Sequence, residues 1–385
     1  MYWESMTLKI MIDTSLISVG GGVQVAINLI KNILSDSSFE IILIASPQVS
    51  AQLTQQQINQ CLYYKEEINE PIWRKKIQGK SLSEIEEKHK PDLVFVIFGP
   101  SYWRPKTKTL QGFALPLMVY PETRDRIYKK QKITYFYQKM LNTYKAQLMK
   151  KNADYVVVET LAFKERVHEF LNIDKNNIFV IENSFNANFL EIKGDKKKND
   201  ILNIFIPTAY YPHKNLEILV DVACELVSMQ KLNIKFNFLL PENSEPWINI
   251  VTNAKQKGVE SLFNTYGPVK NIQMAELYHQ TDFVLLPTVA EASTAVYPES
   301  FISKKVLLTS NIDFAVELCG DAAIYFNPYD AKDIAEKIIL ITTNAILQQE
   351  LIEHGLKQVK SSYLTPESKW LKQKDLIKKL INESL

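Results

Sequence analysis

Leu8-Lys9-Ile10-Met11-Ile12-Asp13 is a short apolar run closed by an acid, and Gly20-Gly21-Gly22-Val23-Gln24 then opens an amphipathic stretch. A buried strand, a glycine turn and a helix starting near Val23 make one βα unit. The unit repeats. Apolar, β-branched runs at 40–46, 92–98, 116–120, 154–159 and 178–182 read as further buried strands, most of them separated by helical patterns. Such alternation predicts a parallel sheet covered by helices on both faces, with right-handed crossovers, so the first half is expected to be Rossmann-like.

After Asn183 the pattern gives way to a charge-dense stretch, residues 191–200, with no apolar period. It reads as a linker. Alternation then restarts, with strands expected at 202–207, 234–240, 282–287, 305–310 and 323–326 and helices near 215–230 and 331–342. The expected organisation is a first α/β domain over residues 1–190 and a second over 201–362. The remaining segment, 363–385, has a helical pattern from 366 and is expected to cross back to the first domain. Two facing domains of this class leave a cleft at the carboxyl ends of their strands, where open α/β sheets bind ligands.

Composition excludes several classes. With 385 residues, 46% hydrophobic, 23% charged, 11 glycines and 16 prolines, the chain is neither disordered nor collagen-like, and its length suits two domains. A net charge of +2 argues against a nucleic-acid binder. Cys61, Cys224 and Cys319 are odd in number and far apart, so neither a disulfide framework nor a zinc ribbon is indicated and a cytoplasmic setting is expected. The first residues are polar, unlike a signal peptide, and no apolar run is long enough to span a bilayer. No D-x-D and no metal-ligand spacing occurs, so the expectation is no metal and no cofactor.

Residues just after strands carry the chemistry. Gly21 and Gly22 let backbone approach a ligand, and amides at that helix start suit a phosphate; a ligand-free flexible turn is the alternative. Lys214 follows the strand at 202–207 and opens a helix, a position that favours a nearby anion unless the lysine is simply solvated. Glu291 falls in the loop after the apolar strand at 282–287, and Glu299 in the first turn of a helix opened by Pro298, where an acid is also favoured by the helix dipole alone. Tyr102, Trp103 and Arg104 lie in a Gly-, Pro- and aromatic-rich loop after the third strand, suited either to stacking on an acceptor sugar and holding its phosphate or to plain packing.

Glu-x7-Glu after a Pro-ended strand, together with the early glycine loop, Glu182-Asn183-Ser184-Phe185-Asn186, Lys214 and Tyr266-Gly267-Pro268-Val269, resembles the retaining GT-B glycosyltransferases of family four. The resemblance runs over nearly the whole chain. It implies a GT-B fold of two facing Rossmann-like domains with a cleft, and a nucleotide-sugar donor. Glu291 is implied at the donor sugar, Lys214 at the diphosphate with loop amides near Ala295 and Val296, Glu299 at the ribose, and Gly267 and Val269 beside the base. Three departures stand out: Ala209 replaces an arginine, Ala292-Ser293-Thr294 replaces Gly-Phe-Gly, and no histidine lies around 115–120.

The implied activity is transfer of a sugar from a nucleotide diphosphate, with retention, to a glycan or lipid-linked acceptor in bacterial-type surface polysaccharide synthesis. A nucleotide-sugar epimerase of the same architecture and a catalytically silent sugar-binding subunit are the rivals. Residues 124–151 hold nine cations against Asp125 alone, interleaved with tyrosines and Phe136. That segment is expected to meet an anionic membrane surface, placing the protein peripherally on the inner face of the cell membrane. A solvated basic helix is the alternative.

Overall fold

The computed structural model of the chain describes residues 7–18, 20–68, 70–71, 74–185, 189, 201–229 and 233–383. The expected linker at 191–200 lies outside the described residues, as does Asn186 of the 182–186 motif.

The first sheet holds β1 (Leu8–Asp13), β2 (Phe39–Ala45), β3 (Tyr63–Glu66), β4 (Leu93–Val96), β5 (Thr109–Gly112), β6 (Tyr155–Val158) and β7 (Ile178–Val180) in the order β3-β2-β1-β4-β5-β6-β7. Every neighbouring pair is parallel. In the centre, Ile10 stands opposite both Ile41 and Leu93, and all three are buried. Such strands lose water from both faces, which is why they are continuous apolar runs rather than alternating ones. Helix Gly20–Leu34 buries Val23, Ala26, Ile27 and Ile30, a face spaced three and four residues apart. It begins three residues before the expected start at Val23.

The run at 116–120 is not a strand. Pro116–Val119 is a short helix, for which the fixed φ of Pro116 at the first position is suited. The place in the sheet is taken by β5, whose Thr-Leu-Gln-Gly sequence carries almost no strand signature. Polar side chains enter this central strand because they are answered. Gln111, fully buried, accepts from the Ser101 amide at 2.9 Å and donates to the Asn152 carbonyl at 2.7 Å. Gly112 brings the backbone of Ile97 so close that a Cβ would stand 1.9 Å from its carbonyl oxygen. The edge strand β3 also lacks an apolar run.

The second sheet holds β8 (Leu202–Ile206), β9 (Ile234–Phe238), β10 (Phe263–Thr265), β11 (Phe283–Leu286), β12 (Val306–Ser310) and β13 (Ala323–Phe326) in the order β10-β9-β8-β11-β12-β13, again all parallel. Its core gathers Ile204, Phe236, Phe238 and Leu285 with Leu219 and Val220 of helix Ile218–Met229 and Ile334 and Ile338 of helix Ala331–Thr343. The three-residue β10 has too short an apolar signal to be read from sequence.

The chain forms two compact units. One comprises Met1–Val119, Tyr128–Ile181 and Glu367–Leu385; the other comprises Tyr120–Ile127 and Glu182–Pro366. The last helix, Pro366–Asn382, buries Leu376, Ile377 and Leu380. It packs in the first unit through Trp370 edge-on to Phe39 at 6.1 Å and ion pairs of Lys374 with Asp36 and Lys369 with Glu159. Among the described residues no helix is long and apolar enough to cross a membrane.

The close approach at β5 sets an expectation for stability. Gly112→Ala forces β4 and β5 apart and lowers unfolding free energy by about 1–3 kcal/mol or more, read as a drop in urea midpoint; an unchanged midpoint is incompatible with this packing.

Candidate functional site

Because every strand of the second sheet is parallel, all their carboxyl ends lie on one edge. β8 and β11 are neighbours there. The chain leaving β8 makes a 3-10 turn, Pro212–Lys214, closed by Asn215 in the left-handed region at φ 55°, whose Nδ2 donates to the Pro328 carbonyl at 2.6 Å. Asparagine tolerates that conformation better than most residues. The turn directs Lys214 inward, leaving it 8% exposed.

The chain leaving β11 supplies the partner. Glu291, 6% exposed, forms an ion pair with Lys214. The two loops are stitched together: the Val289 amide donates to the His213 carbonyl at 2.8 Å. Thr288 Oγ1 stands 3.1 Å from both that carbonyl and Glu291 Oε1, its single proton serving one at a time. Removing one partner of a buried pair leaves an uncompensated charge, at a cost of about 3–5 kcal/mol. The arrangement therefore holds an ammonium and a carboxylate side by side, out of water, at the carboxyl edge of the sheet, the edge at which open α/β sheets generally bind ligands. His213 is half-buried, stacks on Tyr211 with centroids 5.5 Å apart, and has its pKa pushed down to about 4 by partial loss of solvent.

Glu299 is placed differently. It lies in helix Val296–Ile302, 8% exposed, and accepts from the Tyr278 hydroxyl at 3.2 Å. Burial pushes its pKa up to about 7 against the lowering effect of that bond. The Val296 amide, expected to be available to a diphosphate, is 3.3 Å from Thr294 Oγ1 and so already has an acceptor; Ala295 is exposed. The Ser293 hydroxyl is enclosed and, among the described residues, has no hydrogen-bond partner. Gly267 follows β10 on the same edge with φ 68°, its amide donating to Thr265 Oγ1 at 3.0 Å, and Val269 is half-buried. Ala209 is exposed.

In the first unit, a Cβ on Gly20 or Gly21 would meet nothing within 4 Å, and one on Gly22 would make only ordinary contacts. Gly21 and Gly22 are thus not demanded by packing, and open space remains beside this helix start. The acceptor candidates part company. Trp103 is 6% exposed, packs with Met11 and Leu82, and donates Nε1 to Asp13 Oδ2 at 3.2 Å, so its ring is core rather than rim. The Arg104 guanidinium is held by Asp154 at 2.7 Å and the Lys151 carbonyl at 2.7 Å. Tyr102 is half-buried, with the Lys75 ammonium 5.1 Å from its ring centroid. Sequence reasoning missed Asp13, which ends β1 at 2% exposure with its pKa raised by burial; its only signal is an acid closing an apolar strand. It also missed Thr288 and Tyr278, whose roles depend on contacts distant in sequence.

The raised pKa of Glu299 has a signed consequence. Between its ordinary 4.5 and about 7 the native state holds a proton that the unfolded chain has released, so this group's contribution to stability is lost as pH rises through that window. Glu299→Gln, always neutral, is expected to gain stability relative to the parent as pH rises there, by at most about 1.4 kcal/mol per pH unit. Urea unfolding across the window checks this; a constant difference contradicts it.

Residues 188–358 match the family described as Glycosyl transferases group 1. No curated protein matches the chain. Solved structures share the fold: a glycosyltransferase from Rickettsia africae at 17% identity and TM-score 0.72, covering 97% of this chain and 99% of that one. Sucrose-phosphate synthase from Thermosynechococcus elongatus aligns at 13% identity and TM-score 0.72, covering 98% and 100%. Anabaena HepE, crystallised with UDP-glucose, aligns at 12% and 0.71, covering 97% and 100%. The chain is therefore built on the two-sheet Rossmann-like GT-B fold and carries, in residues 188–358, the glycosyltransferase group 1 domain of a sugar-transferring enzyme.

Proposed function

We propose that the protein moves a sugar from a nucleoside diphosphate donor to an acceptor hydroxyl, with retention of configuration, in the synthesis of a surface or lipid-linked glycan. The buried Lys214–Glu291 pair at the carboxyl ends of β8 and β11 carries this reading. A diphosphate entering there exchanges one anion for another at the Lys214 ammonium, which releases the Glu291 carboxylate to accept a donor sugar hydroxyl. Glu299 meets the ribose, Gly267 and Val269 flank the base, and Gly21 and Gly22 admit the phosphate. The Ser293 hydroxyl, two positions after Glu291 in the same loop, is buried and without a hydrogen-bond partner among the described residues. HepE bound to UDP-glucose on a similar fold supports a UDP-sugar as first choice of donor. Of the acceptor candidates, Tyr102 alone keeps a partly exposed ring without being locked by a hydrogen bond to a core residue.

Incubation with a panel of nucleotide sugars tests the reading: transfer or donor hydrolysis is expected, epimer formation favours the epimerase, and no reaction favours a silent subunit. Lys214→Ala should weaken nucleoside diphosphate binding about 10- to 150-fold, the loss of one charge-assisted hydrogen bond, while leaving nucleoside affinity alone. Glu291→Gln should lower turnover without weakening UDP binding in calorimetry. Wild-type behaviour of both variants rejects the site.

We also propose that helix Lys132–Asn152 rests on an anionic membrane surface. Ile133 is 89% exposed, Phe136 64%, Tyr137 56%, Met140 58% and Tyr144 42%, at helical spacings of three and four, which puts them along one stripe. Lys129, Lys130, Lys132 and Lys139 flank it, all exposed. Arg124 and Arg126 belong to the second unit, where Arg124 pairs with Asp125 and Arg126 lies over Tyr329, so they are not assigned to this surface. At about 1 kcal/mol per basic residue near anionic lipid, co-sedimentation with phosphatidylglycerol vesicles is expected at low salt. It should fall in Lys129→Glu/Lys130→Glu/Lys132→Glu and in Phe136→Ser. Unchanged sedimentation in both variants rules the surface out.

A further inference from the structure

Tyr120–Ile127 interrupts the first unit in chain order yet belongs to the second. Its helix, Pro121–Tyr128, has an unusual attachment: Thr123 is its one buried residue, 3% exposed, and is polar. A helix docked by the hydrophobic effect presents an apolar face. This one is held instead by directional contacts. The Tyr120 hydroxyl, just before it, donates to Asp313 Oδ1 at 2.9 Å; Thr123 Oγ1 donates to the Val289 carbonyl at 3.0 Å; and the Arg126 guanidinium lies 3.6 Å above the Tyr329 ring centroid. Directional bonds fix position as well as proximity.

The middle contact falls on the loop that carries Glu291. Val289 is pinned at both its polar backbone atoms, its amide by the His213 carbonyl in the Lys214 turn and its carbonyl by Thr123. Beside it, Thr288 Oγ1 reaches Glu291 Oε1. Rotation of the peptides at 288–290 would swing Glu291 away from Lys214, and the Thr123 hydroxyl, bonded to the Val289 carbonyl, resists that rotation.

We propose that Thr123 is a positioning residue for Glu291, acting through the Val289 carbonyl, and that segment Tyr120–Ile127 thereby sets the donor-sugar preference of the site. The second clause rests on the assignment of Glu291 to the donor sugar; the first does not.

The experiment compares Thr123→Val, which keeps the shape and removes the hydroxyl, with Thr123→Ser, which keeps the hydroxyl, and with Tyr120→Phe, which removes the neighbouring anchor on Asp313. Hydrogen exchange of the ligand-free proteins is read over residues 288–291. Thr123→Val should accelerate it about three- to tenfold, the range expected for one hydrogen bond, while Thr123→Ser and Tyr120→Phe leave it near the parent. Equal rates in Thr123→Val and the parent, or equal acceleration in Tyr120→Phe, overturn the proposal, the second showing that the segment acts only as general packing. The donor clause is read separately as the ratio of UDP-glucose to UDP affinity, which Thr123→Val should reduce about three- to tenfold and Thr123→Ser restore. An altered exchange rate with an unaltered ratio retains the positioning role and removes the donor assignment of Glu291.

Discussion

Two opposite charges are held out of water in the second unit, and the surrounding structure is arranged to keep them together. Lys214 and Glu291 come from turns at the ends of two strands that are neighbours only because β8 and β11 pair in parallel, Ile204 opposite Phe283 and Phe205 opposite Val284. A slip of one residue in that register would shift the two turns along each other by a strand step, about 3.3 Å, enough to part the pair. The hydrogen bonds of Val289, Thr288 and Thr123 all restrict where the carboxylate stands. On the proposed reading, an incoming diphosphate would compete with a carboxylate the protein itself supplies, so donor affinity would reflect the difference between two ion pairs rather than the strength of one.

Three buried acids show how environment divides labour among identical groups. Glu291 has an ammonium partner, Glu299 accepts from the Tyr278 hydroxyl and is pushed up to about 7 by burial, and Asp13 is raised by burial while accepting from Ser15 and Trp103. A carboxyl without a cation stays protonated further into the neutral range. Near pH 7 Glu299 therefore lies close to the balance between accepting and donating, which suits a group facing a neutral diol better than one facing a phosphate.

Much of the fold was legible because buried parallel strands demand continuous apolar runs, and ten of the thirteen strands among the described residues fall on such runs; β5 did not, because Gln111 is satisfied by two backbone partners far along the chain rather than by apolar neighbours. The run at 116–120 was equally apolar and became a helix, since length and periodicity could not separate the two and Pro116 settled it. At the site, position after a strand was enough to single out Lys214 and Glu291. Their contact spans 77 residues and that of Thr123 with Val289 spans 166, distances over which local pattern carries no information. Trp103 misled for a related reason: an aromatic in a Gly- and Pro-rich loop looks exposed until a buried acid, Asp13, is seen to hold its indole nitrogen.

The return of helix Pro366–Asn382 to the first unit bears on the order in which the molecule is completed during synthesis. The first unit's sheet is translated before residue 182, but the helix that covers Phe39 and neutralises Asp36 is made only after the whole 182–366 segment of the second unit. At about 5–20 residues per second the interval is on the order of 10–40 s. Through that interval the second unit acquires its entire contiguous segment while the first waits with an uncovered apolar patch. The earlier-made half is then the later-finished one, with Phe39 left without its Trp370 neighbour until the helix arrives.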